Sequence, residues 1–361
     1  MKRIVVLIAA LVVAGCGGSG NNNGNDKGSP ATTPEQDVNL TQGSGLTFAM
    51  VTHSDEGSFW SVVKKGAEQA AKDEGVKLIW SPSNNDPQKE AQLIDAAVSQ
   101  KVDGLAVSVP NYDAIKGSLA KAKAAGIPII TLNSGVDQFK EIGAITHVGQ
   151  TEEIAGEGAG KQFKNAGAKK VLVVIHEASN SGLVQRADGV TKIMGHSGVK
   201  TLTIPNAKSD IPGTQAKVKA AFQADKSLDS FLGLDPDVTI PMLDVIPKGT
   251  KAGTFDVGGA IKEIQAGRLL FAIDQQQYLQ GYLPVVFGML YVTNLNTVGN
   301  GAPVLTGPGI INKGNASRVA ALAAAAMSGL SVITASYDLS ACSLDLISVC
   351  VVAMSAVPLT C

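Results

Sequence analysis

The stretch Gly104–Gly135, GLAVSVPNYDAIKGSLAKAKAAGIPIITLNSG, decides the fold. Gly104–Val109 is a short apolar run, Tyr112–Ala125 is amphipathic, and Ile127–Leu132 is apolar again. Gly126-Ile127-Pro128 punctuates the joint between the last two. A strand that reads as a continuous apolar run, not an alternating one, is covered on both faces. That pattern implies a parallel sheet sandwiched between helices.

The same rhythm extends in both directions. Upstream, Leu46–Thr52 and Lys77–Trp80 read as strands, with helices over Ser58–Glu74 and Asp86–Gln100. Downstream, Val148-Gly149-Gln150 leads into a helix over Glu152–Ala166, and the alternation restarts. Strands are predicted at Lys170–His176, Lys200–Ile204, Ser230–Leu234, Ala252–Phe255 and Leu270–Ile273, with helices near Leu183–Gly195 and Thr214–Phe222. The fold class is therefore α/β: two doubly wound parallel-sheet lobes in succession. In such sheets ligands bind beyond the carboxyl ends of the strands, so the residues just after each apolar run are the ones to inspect.

Those positions are polar almost without exception. His53-Ser54-Asp55-Glu56-Gly57-Ser58-Phe59-Trp60 follows the first strand, and Trp60 is one of two tryptophans. Adjacent aromatics at a strand-to-helix turn suit stacking on the C–H face of a sugar ring or polyol. Ser108 ends the third strand and Asn133-Ser134 the fourth; Asp235, Asp256 and Asp274-Gln275 end strands of the second half. His176-Glu177, Asn180-Ser181 and Gln185-Arg186 follow another. Singly, each short polar group reads as a helix cap. Converging on one cleft, they match vicinal hydroxyls, which both donate and accept.

These stretches resemble the type I periplasmic sugar-binding proteins, the group that contains the ribose-binding proteins. The resemblance rests on Gly126–Gly135, His147-Val148-Gly149-Gln150, Gly253-Thr254-Phe255-Asp256 and, most distinctively, Leu270–Tyr282, LFAIDQQQYLQGY. It covers roughly Leu46 to Lys313. It implies two lobes joined by a three-crossing hinge, closing on a ligand. By that pattern Phe59 and Trp60 stack on the ligand, and Asn133, Arg186, Asp235, Asp256 and Gln275 bind its hydroxyls. Ser108 and Ser134 stand where ribose binders carry asparagine and arginine. Shorter groups at both positions argue against ribose and leave room for another sugar or a sugar alcohol.

The resemblance also implies that the chain is not an enzyme, uses no cofactor, is monomeric, and delivers its ligand to the permease subunits of an ABC importer. The alternatives are a receptor presenting ligand to a membrane chemosensor, or the sensor domain of a repressor. The second needs an N-terminal helix-turn-helix, and the N-terminus reads otherwise. Lys2 and Arg3 precede an apolar run, Ile4–Val13, too short to span a bilayer. Val13-Ala14-Gly15-Cys16 resembles a lipobox, which implies export, lipidation of Cys16 and a membrane anchor on the extracytoplasmic side. The expected organisation is signal and lipobox over residues 1–16 and a Gly/Asn/Ser-rich tether over 17–45. A first lobe follows over 46–148 plus 276–303, then a second over 149–275 plus 304–316, and an atypical apolar tail over 317–361.

Other chemistry finds no support. The formal net charge is −1, which gives no footprint for nucleic acid. Cysteine is absent from Gly17 to Ala341, and Cys342, Cys350 and Cys361 have no zinc-site spacing. Gly156-Glu157-Gly158-Ala159-Gly160-Lys161-Gln162 lacks the phosphate-loop spacing and the hydroxyl residue after lysine. The four histidines, His53, His147, His176 and His196, are unpaired in sequence and read as capping or surface residues.

Overall fold

In the computed structural model, which describes residues 43, 45–205 and 207–320, strand and helix alternate in two successive runs. The first contains β1 (Thr47–Thr52), α1 (Gly57–Glu74), β2 (Lys77–Pro82), α2 (Pro87–Ser99), β3 (Gly104–Ser108), α3 (Tyr112–Ala124), β4 (Ile129–Asn133), α4 (Phe139–Ile142) and β5 (His147–Gly149). The second contains α5 (Glu152–Asn165), β6 (Val171–Ile175), α6 (Ser181–Met194), β7 (Val199–Thr203), α7 (Ile211–Ala224) and β8 (Ser230–Gly233). It continues through α8 (Pro236–Met242), β9 (Lys251–Phe255), α9 (Ala260–Gln265) and β10 (Phe271–Asp274). The chain then returns through α10 (Gln277–Asn294), β11 (Val304–Leu305) and β12 (Gly309–Asn312).

The strands form two sheets, ordered β11-β5-β4-β3-β1-β2 and β12-β10-β9-β8-β6-β7. In each sheet the first strand lies between the second and third, so β1 to β5 correspond one by one to β6 to β10. Burial explains why these segments are strands. Along β1, Phe48 and Met50 pack with α1 and α10, whereas Ala49 and Val51 pack with α2 and α3. Both faces are dry, as the unbroken apolar runs imply.

Three features differ from the sequence expectation. Val304 and Leu305 pair with Val148 and Gly149 of the first sheet, so the last crossing into the second lobe falls after Leu305, not before Val304. A two-residue strand is too short to show a period. β12 runs antiparallel to β10, with Gly309 opposite Asp274 at the cleft. It enters from the first lobe at that end and can only run away from it. The third is α10: Gln277–Asn294 is apolar on nearly every side and contains Pro284, so no amphipathic period marks it as a helix in the sequence. The signal, lipobox Cys16, nearly all of the tether and residues 321–361 of the tail lie outside the described residues. Among the described residues no helix is long and apolar enough to cross a membrane.

Two helix pairs flank the sheets through glycine contacts. A β-carbon at Gly281 of α10 would collide with the Val63 carbonyl of α1, and one at Gly156 of α5 with the Arg186 carbonyl of α6. The glycine-rich stretch at residues 156–160 is thus a packing surface within a helix.

Candidate functional site

The carboxyl ends of the two sheets face each other across a cleft. It leaves about 320 Å³ of space between atoms, counting its open mouth, of which about 30 Å³ is enclosed enough to count as cavity. Phe59, Trp60, Asn133, Arg186, Asp235, Asp256 and Gln275 all line it. Segments as far apart as α1 and β10 therefore supply one wall each.

On the first-lobe side, Phe59 and Trp60 occupy the opening turn of α1. They meet edge to face at 5.1 Å, and Trp60 meets the His53 ring in the same way at 4.8 Å. His53 is held from behind by Ser108, whose Oγ lies 2.9 Å from His53 Nδ1 and accepts the His53 amide at 2.8 Å. Ser108 thus sits behind the cavity wall and orients a residue that lines it. Ser134 is also displaced: its hydroxyl donates to Asn133 Oδ1 at 3.0 Å, and it faces a smaller recess beside the cavity.

Asn133 and Asp256 occupy equivalent positions, ending β4 and β9, and both have left-handed backbones, with φ of 59° and 64°. Asparagine and aspartate tolerate that conformation better than other side-chain-bearing residues, which turns each polar group towards the cleft. Asn133 Nδ2 donates to Gln280 Oε1 at 3.2 Å, and Gln275 Nε2 donates to Asp256 Oδ1 at 2.7 Å. Burial pushes the Asp256 carboxyl up to about 8, against the opposing pull of the Arg186 guanidinium and the Gln275 amide.

The second lobe supplies the charge. Arg186 forms a two-toothed pair with Glu152, Nε to Oε2 at 2.6 Å and Nη2 to Oε1 at 3.0 Å, while its guanidinium lies 4.6 Å from the Phe255 ring centre. Lys208 Nζ lies 2.7 Å from Asp235 Oδ2, and the other Asp235 oxygen caps α8 through the Asp237 amide at 2.7 Å. Glu177 accepts from Asn180 Nδ2 at 2.8 Å and lies 3.7 Å from His53 Nε2 and 3.6 Å from His176 Nε2. Burial alone would raise Glu177, but the two facing imidazoles, Lys208 and Asn180 hold it down at about 2. Burial drives His53 down to about 4 and lowers His176 as well.

The histidine expectation needs correction. His53 and His176 are buried at equivalent positions after β1 and β6, and His147 is buried with its Nδ1 2.9 Å from Thr131 Oγ1. A lone histidine after a strand looks like a turn residue; in the fold His53 packs on Trp60 and Ser108 and faces Glu177, and His176 lies beside Glu177 and Asp235. Lys208, five residues beyond the end of β7 at Thr203, carries no local signal either.

Two consequences follow for a ligand. Both permanent cations of the lining, Arg186 and Lys208, are already engaged by carboxylates, so no surplus positive charge awaits an anionic group. Among the described residues, Gln275 Oε1 and His176 Nδ1, both on lining residues, are buried without a hydrogen-bond partner. An orphaned buried polar atom costs about 1–3 kcal/mol, which a ligand hydroxyl would recover. Among the described residues no cluster of three or more histidine, cysteine, aspartate or glutamate side chains could hold a metal ion.

Known proteins agree with this architecture. The chain is 37% identical to a carbohydrate transporter from Acidothermus cellulolyticus solved in complex with myo-inositol, with a TM-score of 0.73; the match covers 77% of this chain and 98% of that one. It is 25% identical over 267 residues to the xylose/arabinose-binding protein of Sulfolobus acidocaldarius, covering 68% of this chain and 66% of the relative. It is 22% identical over 213 residues to the xylitol-binding protein of Mycolicibacterium smegmatis, covering 58% and 60%. The chain thus spans less than two thirds of the length of these two curated relatives. The model of the periplasmic binding protein domain matches residues 48–294, and with two doubly wound lobes closing on one cleft the chain belongs to that family, in its type I form.

Proposed function

We propose that the protein captures an uncharged sugar alcohol or monosaccharide between its lobes and delivers it to an ABC-type importer from an extracytoplasmic, lipid-anchored position. The observation that carries the ligand class is the pairing of the unpartnered Gln275 Oε1 and His176 Nδ1 with a lining whose cations are already neutralised. Such a wall rewards hydroxyls and offers nothing to a phosphate or carboxylate. The relative that binds myo-inositol, at 37% identity, and the xylitol-binding relative favour polyols within this class. The binding-protein relatives support a binding role. Anchorage through Cys16 rests on the sequence of the leader, and the permease as partner on the family.

A thermal-shift panel of the purified full chain tests this reading. Ligand at about 100-fold over its dissociation constant adds about 2.7 kcal/mol of stability, so one neutral polyol or sugar should raise the midpoint clearly. Trp60→Ala should weaken binding of that compound by about 1–3 kcal/mol, the usual loss for a buried aromatic anchor. Unchanged affinity in this variant removes Trp60 from the site, and a panel response only to amino acids or nucleosides overturns the ligand class.

A further inference from the structure

The helix that carries Phe59 and Trp60 does not cap itself. Glu56, at the N-cap of α1, makes no side-chain capping hydrogen bond. The cap comes from the other lobe: the Ser58 amide donates to Asp237 Oδ2 at 3.0 Å, and the Ser58 hydroxyl lies 3.4 Å from each Asp237 oxygen. Gly57 leaves the seat for this carboxylate, since a β-carbon there would collide with it. Asp237 does not line the ligand cavity, yet its own amide is bound by Asp235, which does.

A counterpart exists in the equivalent place. Ser181 opens α6 of the second lobe, and its amide and hydroxyl both donate to the Pro110 carbonyl beyond β3, at 3.3 and 3.1 Å. β3 and β8 are the equivalent third strands, so in each lobe the helix after the first strand is met by the segment after the other lobe's third strand. The two contacts differ in what they replace. Asn180 already caps α6 through the Gly182 amide, whereas α1 takes its cap from the Asp237 acceptor oxygen across the cleft. Because the two partners sit on different lobes, this cap exists only when the cleft is shut.

We propose that Asp237 is a closure latch: by capping α1 across the cleft it sets the stability of the closed form, and through it ligand affinity, without touching ligand. Apparent affinity scales with the population of the binding-competent form. The affinity arm of the test rests on the polyol reading above; the distance arm does not.

The test uses the full chain with spin labels on ketone amino acids at the exposed positions of Lys72 and Lys219, one per lobe, so that the native cysteines stay untouched. The unliganded chain should already show a minor short interlobe distance, and titration with myo-inositol should increase it. Asp237→Ala should move the midpoint to about 5- to 20-fold higher concentration and leave the unliganded melting temperature unchanged. Asp237→Asn, which keeps an acceptor oxygen for Ser58, should recover most of the affinity. An unshifted midpoint in Asp237→Ala, or an equal loss in both variants, overturns the latch. Should myo-inositol fail to bind even the native chain, the ligand reading falls and the unliganded distances decide: Asp237→Ala must shrink the short component, and an unchanged distribution overturns the proposal.

Discussion

Arg186→Ala is expected to lower folding stability by about 3–5 kcal/mol and to weaken ligand binding by about 2–5 kcal/mol. Arg186 and Glu152 are both buried, and removing the guanidinium strips the Glu152 carboxyl of both hydrogen bonds from Arg186, leaving the Gln150 amide, 2.9 Å from Oε2, among the described residues. Asp256 loses the charge that opposes its burial and is held more firmly protonated. Arg186→Lys keeps the charge but not the planar fork that reaches both Glu152 oxygens, so an intermediate loss is expected. Urea unfolding and calorimetric titration separate the two effects. A variant that melts like the native protein would show that the pair contributes little.

The second large effect is expected from Gly156→Ala. In an isolated helix the change is favourable by about 1 kcal/mol. Here the new β-carbon meets the Arg186 carbonyl of α6, and the reciprocal position, Gly189 on α6, is packed equally closely on the Glu153 carbonyl of α5. Neither obstacle is a side chain that can change rotamer, so the helices must part, at a cost of about 1–3 kcal/mol or more. Glu152 lies one turn before Gly156 on α5, so parting the helices also stretches the Arg186–Glu152 bonds at 2.6 and 3.0 Å. Both melting temperature and ligand affinity should fall. Gly117→Ala in α3 is the control: its β-carbon meets nothing within 4 Å, and this variant should be slightly more stable. Stabilisation by both substitutions would refute the packing argument.

What could be read from the sequence follows the physics of burial. β1, β3, β4 and β6 announce themselves because both faces of each are buried, so most of their positions are apolar. α10 stays hidden because it is apolar around its circumference, and β11 because Val304-Leu305 is too short for any pattern. At the cavity, Asn133, Asp235 and Asp256 are legible as polar groups ending apolar strands, a rule that depends only on local order. His53, His176 and Lys208 are not, because their environment is made by contacts between segments far apart in the chain. Ser108 illustrates the remaining gap: its position beside the cleft follows from strand order, whereas its contact with His53 depends on how two side chains orient.

The measurement that bears most directly on the whole account is a pair of calorimetric titrations of the full chain, with myo-inositol and with a myo-inositol monophosphate. A lining whose Arg186 and Lys208 are already engaged by carboxylates, beside an ionised Glu177, should accept the neutral ring at one site per chain and refuse the phosphorylated one. Tight binding of the phosphate, with none of the neutral polyol, would mean that those cations are available to a ligand and would contradict the charge balance on which the proposed function stands.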